Sequence, residues 1–191
     1  MNPAISLNVL WVAWAASWFA ASFWSSRIAK TAHPREERIY GLAMAMGALL
    51  IFSGPAMRFG GPALWPTGRP ALWAAFGCAA AGFAFAWWAR IQLGRLWSGR
   101  VTRKEDHRLI ETGPYGIVRH PIYTGLIAAL VATMAAKATI PAILGVGLMV
   151  LGIWLKARIE ERFLRAELGA RTYDTYVARV PMLIPFWPRT R

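Results

Sequence analysis

Residues 107–125, HRLIETGPYGIVRHPIYTG, bring together side chains that can bind a charged ligand. Arg119 carries a planar cation that pairs well with carboxylates and phosphates. Pro121 is favoured in the first turn of a helix, so a helix is predicted to start at about His120–Pro121. The free N–H groups at a helix start favour anions. These residues therefore predict a site for a carboxylate or a phosphate.

Tyr115 and Tyr123 flank this helix start, and their aromatic faces attract cations. A molecule with a carboxylate, an adenine and a positive sulfur, such as S-adenosylmethionine, would fit both features. A phosphate-bearing cofactor or a lipid headgroup would also fit. A structural interpretation stays open as well, in which His120 caps the helix, Arg119 contacts headgroups and the tyrosines belong to the interfacial aromatic belt.

A second polar segment, residues 155–187, contains adjacent acids at Glu160 and Glu161. The helix that carries them is predicted to end at Gly169, a typical C-terminal cap. Either the acids form surface ion pairs, or one of them turns inward to hold hydroxyls or an amine, as ionisable groups at the mouth of a membrane bundle often do. The pairs with helical spacing are Lys156 with Glu160, Arg158 with Glu161, and Glu161 with Arg165.

The residues after Gly169 predict a short amphipathic helix at the membrane surface. Its apolar positions recur at helical spacing: Tyr173, Tyr176, Val177 and Val180. Pro181 is expected to end it, and the segment VPMLIPFW would then return to the bilayer edge and could cap the site.

The elements that must position these side chains are membrane helices. Of the 191 residues, 57% are apolar, and several apolar runs approach the length of about 20 residues that crosses a bilayer. We predict an all-α integral membrane protein with five transmembrane helices. The predicted spans are residues 4–26, 39–57, 71–93, 121–136 and 139–157.

The basic residues are distributed asymmetrically around these spans. Four Lys or Arg residues follow the first span, seven follow the third and eight lie in the tail, against two and one on the other side. The positive-inside rule then places the N-terminus outside and the C-terminus in the cytoplasm. The net charge of +13 is therefore attributed to topology and to anionic headgroups, and not to nucleic acid binding.

The last two spans are separated by so short a turn that they must form an antiparallel helical hairpin. Both open ends of the hairpin face the cytoplasm, so residues 95–123 are brought beside residues 156–187. We predict a cytoplasmic cofactor pocket between the loop before helix four and the C-terminal segment. The predicted division is an N-terminal three-helix membrane region, residues 1–94, and a core, residues 95–191.

The two polar segments together resemble the isoprenylcysteine carboxyl methyltransferase family and its relatives, the phospholipid methyltransferases. The resemblance covers roughly the C-terminal half of the chain. Four motifs carry it in order: HRLIETGPY at 107–115, RHPIYTG at 119–125, EERFLRAELGARTYDTY at 160–176 and RVPMLIP at 179–185. The acidic cluster, Glu160-Glu161, is shorter than is usual in the family.

The resemblance implies a membrane methyltransferase that uses S-adenosylmethionine and no metal. The residues implied to bind the cofactor are His107, Leu109, Ile110, Tyr115, His120, Pro121, Tyr123 and Glu160, with Glu161 left open as the alternative to Glu160. Those implied to be catalytic are Arg119, Arg158 and Glu161, and Arg179 is implied to bind the substrate. Arg119 stays open between the cofactor carboxylate and the substrate.

The implied substrate is an isoprenylcysteine-like lipid, methylated on its carboxyl oxygen. A phospholipid amine or a thiol is the alternative acceptor. Sterol and enone reductases that use NADPH share a similar RHPxY pattern but are usually longer chains, and a non-catalytic membrane protein is a further alternative. Membrane lipids are expected as partners, with no obligate protein partner. The bias towards Ala, Arg, Gly and Trp is compatible with a GC-rich prokaryote, and hence with a prokaryotic cell membrane.

Overall fold

The computed structural model describes residues 2–24, 28–31, 34–53, 63–97, 102–104 and 109–187. Six α-helices lie in these ranges: α1 (Pro3–Ser22), α2 (Pro34–Phe52), α3 (Arg69–Leu93), α4 (Pro121–Lys137), α5 (Ile140–Leu168) and α6 (Ala170–Arg179). The predicted hairpin of α4 and α5 is confirmed, with Ala138 in the left-handed conformation between them.

A short sheet accompanies the helices, which the all-α prediction did not include. Strand β1 (Ile28–Thr31) follows α1, and strand β2 (Thr102–Lys104) follows α3. The two strands pair antiparallel, with Thr31 opposite Thr102 and an irregularity between Ile28 and Lys30. The strands that follow α1 and α3 therefore lie at the same end of the bundle, where their backbone groups form hydrogen bonds with each other.

Helices α1 to α5 alternate in direction. The starts of α1 and α3 lie together, since Asn2 and Arg69 border one groove. The turn after α4 lies beside the segment before α3, because the Leu64 N–H donates to the Ala138 carbonyl at 2.7 Å. The end where α4 begins, which also carries the two strands, is called the site end here, and the opposite end is the far end.

Three helices of the described residues are long and apolar enough to cross a membrane: α1, α3 with the 3₁₀ turn that follows it, and α5. Helix α4 is apolar but shorter. The chain is therefore an integral membrane protein, whereas five crossings, their orientation and the division at residue 94 stay predictions. Helix α5 runs on past the predicted span to Leu168, with Gly169 as its cap, as the sequence indicated.

Glycines allow two pairs of helices to approach closely, as small residues do in membrane proteins. A Cβ atom at Gly82 of α3 would lie 2.5 Å from the carbonyl oxygen of Gly125 in α4. A Cβ atom at Gly145 of α5 would lie 2.8 Å from the carbonyl oxygen of Gly47 in α2. The bundle is thus organised as two tight pairs, α3 with α4 and α2 with α5.

Helix α1 is joined to these pairs by an aromatic core and by one buried arginine. The indole N–H of Trp11 donates to the Thr133 hydroxyl at 2.8 Å. Arg90 of α3 is fully buried and donates to the carbonyls of Ala21 and Trp24 at 2.8 Å each. Because the last carbonyls of a helix have no partner within it, Arg90 completes the end of α1.

Candidate functional site

The candidate site lies around the start of α4, and this helix begins where the sequence predicted. His120 is the N-cap and Pro121, which is fully buried, is the first helical residue. No side chain caps this helix start. The N–H groups of Ile122 and Tyr123 thus lack a partner within the helix, which leaves a positive potential for an anion.

A C-terminal segment, residues 180–187, lies across this helix start. The backbone N–H of Arg119 donates to the Pro181 carbonyl at 2.8 Å, and that of His120 donates to the Met182 carbonyl at 3.1 Å. The Thr124 hydroxyl donates to the Leu183 carbonyl at 2.6 Å. The closing segment, as residues 180–187 are called below, is therefore held to α4 mainly by backbone groups.

Glu161 lies at the centre of the polar cluster. Its Oε1 atom lies 2.7 Å from Arg119 Nε and 3.2 Å from His120 Nε2. The three side chains are 16%, 9% and 6% exposed. Arg119 also donates to the carbonyl oxygens of Val177 and Val180. Arg119 therefore joins α4, α5, α6 and the closing segment, and Glu161 neutralises it away from water.

Glu160 has a different environment from its neighbour. The Tyr123 hydroxyl donates to its Oε2 atom at 2.8 Å, while a third of its side chain stays exposed. The His120 and Tyr123 rings are stacked, with centroids 5.3 Å apart and planes 10° apart. Glu160 and this aromatic pair thus form a partly open, acidic surface beside the helix start.

Three buried tyrosines form the wall behind this surface. Tyr115 and Tyr173 are buried, and the buried Tyr176 donates its hydroxyl hydrogen to the Tyr115 carbonyl at 2.7 Å. Leu109 packs against Tyr173 and Tyr176, and Ile110 is half-buried nearby in the chain. Burial raises the pKa of all three phenols, which favours their neutral form. His107 lies outside the described residues.

The remaining arginines lie away from Glu161. Arg158 is exposed, with its guanidinium carbon 5.4 Å from the ring centroid of Trp154. Arg179 is ion-paired with Glu111. The structure thus places Arg119 in the cluster, and Arg158 and Arg179 on surfaces around it.

The surface ion pairs of Glu161 that helical spacing suggested are not those that the structure contains. Arg165 instead holds Asp174 of α6 through two contacts of 2.7 Å, which lower the pKa of that carboxyl. Glu161 takes the inward orientation, because Arg119 and His120 offer it partners that are removed from water. Glu161 thus faces inward, whereas an acid that holds hydroxyls or an amine of a ligand stays a prediction.

Two further groups border the site, of which Lys156 was predicted only as a surface partner of Glu160 and Thr124 was not singled out. The Thr124 hydroxyl holds the closing segment, and Lys156 has its Nζ atom 5.5 Å from the Tyr123 ring centroid and 5.7 Å from that of Tyr40 in α2. Thr124 falls within the RHPIYTG motif, which was a signal that could have been used. Nothing in the sequence pattern indicated that Tyr40 of α2 lies beside residues of α4 and α5.

A match to a known protein family covers the segment that carries most of the site. Residues 75–166 match the isoprenylcysteine carboxyl methyltransferase family. Protein-S-isoprenylcysteine O-methyltransferase B of Arabidopsis thaliana is 31% identical over 88 residues. That match covers 46% of this chain and 44% of the plant protein, so it spans less than half of either.

Proposed function

We propose that the chain is a membrane methyltransferase of the isoprenylcysteine carboxyl methyltransferase family and that it uses S-adenosylmethionine, because residues 75–166 match that family. The proposed reaction is O-methylation of the carboxyl group of an isoprenylcysteine-like lipid. The observation that carries the proposal is the position of the cluster of Arg119, His120 and Glu161 within the matched segment, at the end of an apolar helical bundle.

The donor set around the start of α4 fits S-adenosylmethionine. The uncapped N–H groups of Ile122 and Tyr123 suit its carboxylate. The accessible side of Glu160 suits its ammonium group or its ribose hydroxyls, and the rings of His120 and Tyr123 suit its flat or cationic parts. The cofactor would supply an electrophilic methyl group on a positive sulfur.

The residues of this chain would then bind and orient the cofactor and the acceptor, and they would exclude water. Proximity and alignment provide much of the rate of a bimolecular transfer. The closing segment and the three tyrosines would shield the reacting groups, and the ion pair of Arg119 with Glu161 would fix the geometry of the wall. We propose a positioning role for Arg119 and Glu161, in place of direct contact with the substrate.

Arg158 is proposed to hold the substrate carboxylate. It is exposed on α5 beside Trp154, which is 41% exposed, so a prenyl group lying in the lipid could pack on the indole while its carboxylate meets the guanidinium. Among the described residues, no carboxylate forms an ion pair with Arg158. A carboxylate is already ionised at neutral pH, so this acceptor needs no base.

An amine acceptor, such as a phospholipid headgroup, is the second candidate. The partly exposed carboxylate of Glu160 favours it, because an ammonium group must lose a proton before it can accept a methyl group. The two candidates differ in their need for Glu160: N-methylation would need it as a base, whereas O-methylation would need it only for cofactor binding.

The cofactor is tested first by calorimetry on the purified protein with S-adenosylhomocysteine and, separately, with NADPH. We expect saturable binding of S-adenosylhomocysteine, weakened by His120→Ala and by Glu160→Gln. Asp174→Asn is the matched control, because it removes an exposed acid outside the cluster. Binding of NADPH alone would favour a reductase, and binding of neither would contradict the proposed cofactor site.

The acceptor is tested next by methyl transfer from labelled S-adenosylmethionine. The three acceptors compared are an S-prenylated N-acetylcysteine, phosphatidylethanolamine and an alkyl thiol. Label in the base-labile ester of the first would support carboxyl methylation. Label only in the amine or in the thioether would move the assignment to those acceptors, while the cofactor result would stand.

A further inference from the structure

A groove opens at the far end of the bundle, ~26 Å along α4 from His120 at the usual rise of a helix. It has a volume of about 380 Å³ and lies between α1, the end of α2 and the end of α4. That volume falls in the range of about 300–1,000 Å³ that is typical of ligand pockets. The lining residues are Asn8, Trp11, Val12, Ala15, Phe52 and Lys137.

The groove is polar at its mouth and apolar farther in. Its four residues from α1 have the spacing i, i+3, i+4 and i+7, so they form one stripe along the helix. Asn8 is closest to the far end, and Ala15 lies about 10 Å deeper towards the bilayer centre. This gradient along a membrane helix matches an amphiphile with its headgroup at Asn8 and its chain at Ala15.

Lys137 gives the mouth of the groove a positive charge. It is the last residue of α4, and its Nζ atom lies 5.7 Å from the ring centroid of Phe52. Among the described residues, no carboxylate is ion-paired with it. The negative end of the α4 dipole favours a cation at this position, but it does not account for the exposed amide of Asn8 on an otherwise apolar helix face.

The wall of the groove is fixed before any ligand binds. Trp11 is 9% exposed, is hydrogen-bonded to Thr133 at 2.8 Å and meets Phe52 edge-on at 5.0 Å. A wall that is already ordered loses little conformational entropy on binding. Trp11 and Phe52 therefore give the groove one well-packed wall.

We propose that this groove binds one anionic phospholipid. Its phosphate would contact the ammonium group of Lys137 and the amide of Asn8, and an acyl chain would lie along Val12 and Ala15. The charge of Lys137 is complementary to an acidic headgroup, and the surrounding bilayer supplies this ligand at high concentration. The site is separate from the proposed methyl-transfer site, which lies at the other end of α4.

The test is lipid binding by native mass spectrometry, in which the full chain in detergent is titrated with phosphatidylglycerol or phosphatidylcholine. We expect the wild type to retain one phosphatidylglycerol in preference to phosphatidylcholine. Lys137→Met should weaken phosphatidylglycerol binding about fivefold, the effect of one basic residue at a membrane surface, and leave phosphatidylcholine binding unchanged. Lys137→Arg should keep the preference.

Arg69→Gln is the matched control, since it removes one positive charge at the same far end but borders a different groove. It should leave the preference intact. Equal binding of both lipids by the wild type, or an equal loss in Arg69→Gln, would overturn the proposal. If Lys137→Met does not fold, Ala15→Phe is the variant that tests the site. Ala15 is exposed, and the larger side chain would fill the groove. Unaltered lipid binding by this variant would contradict the site.

Discussion

Glu161 differs from its neighbour Glu160 in burial and in partners, and this difference is the basis for proposing a supporting role for Glu161 and a ligand-binding role for Glu160. Glu161 balances the charge of Arg119 and contacts His120 in a region where all three side chains are largely shielded. Removing one partner from a buried ion pair leaves the other charge uncompensated, which costs more than the pair contributes. The acid that lies deeper is thus the one whose loss should damage the fold.

Glu161→Gln should lower the free energy of unfolding by roughly 3 kcal/mol, as is typical when one partner of a buried pair is lost. Thermal unfolding in detergent measures this change. Asp174→Asn, which breaks the exposed pair with Arg165, should leave the midpoint almost unchanged. Equal midpoints for the wild type and Glu161→Gln would contradict the role assigned to Glu161.

Arg158→Gln should raise the KM for the carboxylate substrate by roughly tenfold, since a hydrogen bond to a charged group is lost. The affinity for S-adenosylhomocysteine should not change, because Arg158 lies outside the cluster at the start of α4. Arg158→Lys should restore part of the loss. An unaltered KM in Arg158→Gln would remove this residue from the substrate site.

At the scale of elements, helix ends marked by residues with strong local preferences were predicted correctly. Features that depend on tertiary contacts could not be predicted. Pro121 and Gly169 mark the start of α4 and the end of α5, where the sequence placed them. The start of α2 at Pro34 was missed, because its first turn is charged. Hydropathy identifies the apolar part of a helix that can lie in the bilayer, and it does not identify a charged turn that precedes this part. The partner of Glu161 could not be predicted either, since helical spacing offered Arg158 and Arg165 equally.

Gly82→Ala should destabilise the packing of α3 against α4 by about 1–3 kcal/mol, the usual cost of overpacking. The added methyl group would meet the backbone of α4, which cannot move aside as a side chain can. Gly77→Ala on the same helix is the control, because nothing lies within 4 Å of its added Cβ atom. Similar unfolding midpoints for both variants would contradict the close approach at Gly82.

The tyrosines that hold α6 should make the protein sensitive to alkali. Burial raises the pKa of Tyr115, Tyr173 and Tyr176 above that of an unfolded tyrosine, near 10. Their stabilising effect is therefore complete below about pH 10 and is lost as the pH rises, since the unfolded chain ionises first. Phenolate absorbance should appear together with unfolding. Phenolate formation in a chain that is still folded would contradict this expectation.

At the scale of the whole molecule, the alternating helices give the two ends of the bundle different chemistry. The site end carries the acids and bases of the cluster, and the far end carries Lys137 and the lipid groove. The sequence indicated this asymmetry through its distribution of charge. The sequence did not indicate that Arg90 holds α1 against α3. In the charge pattern, Arg90 is one of the basic residues that predict the orientation in the membrane, and the pattern does not reveal its contacts.

The predicted orientation places the site end in the cytoplasm. A reporter that is active only in the cytoplasm should be active when fused after residue 191 and inactive when fused before residue 1. The reason is that segments rich in Lys and Arg stay on the cytoplasmic side of the membrane. Fusions within the segment after α4 should behave like the N-terminal fusion. The opposite pattern of reporter activity would indicate the inverse orientation in the membrane and would not bear on the proposed chemistry of the site.

The closing segment has a consequence for the order of events during synthesis. Residues 180–187 emerge from the ribosome after all the membrane helices, yet they supply the carbonyls that hold Arg119, His120 and Thr124. A nascent chain can therefore insert α1 to α5 while the start of α4 still lacks its cover. The proposed site would therefore be completed only after these helices lie in the membrane.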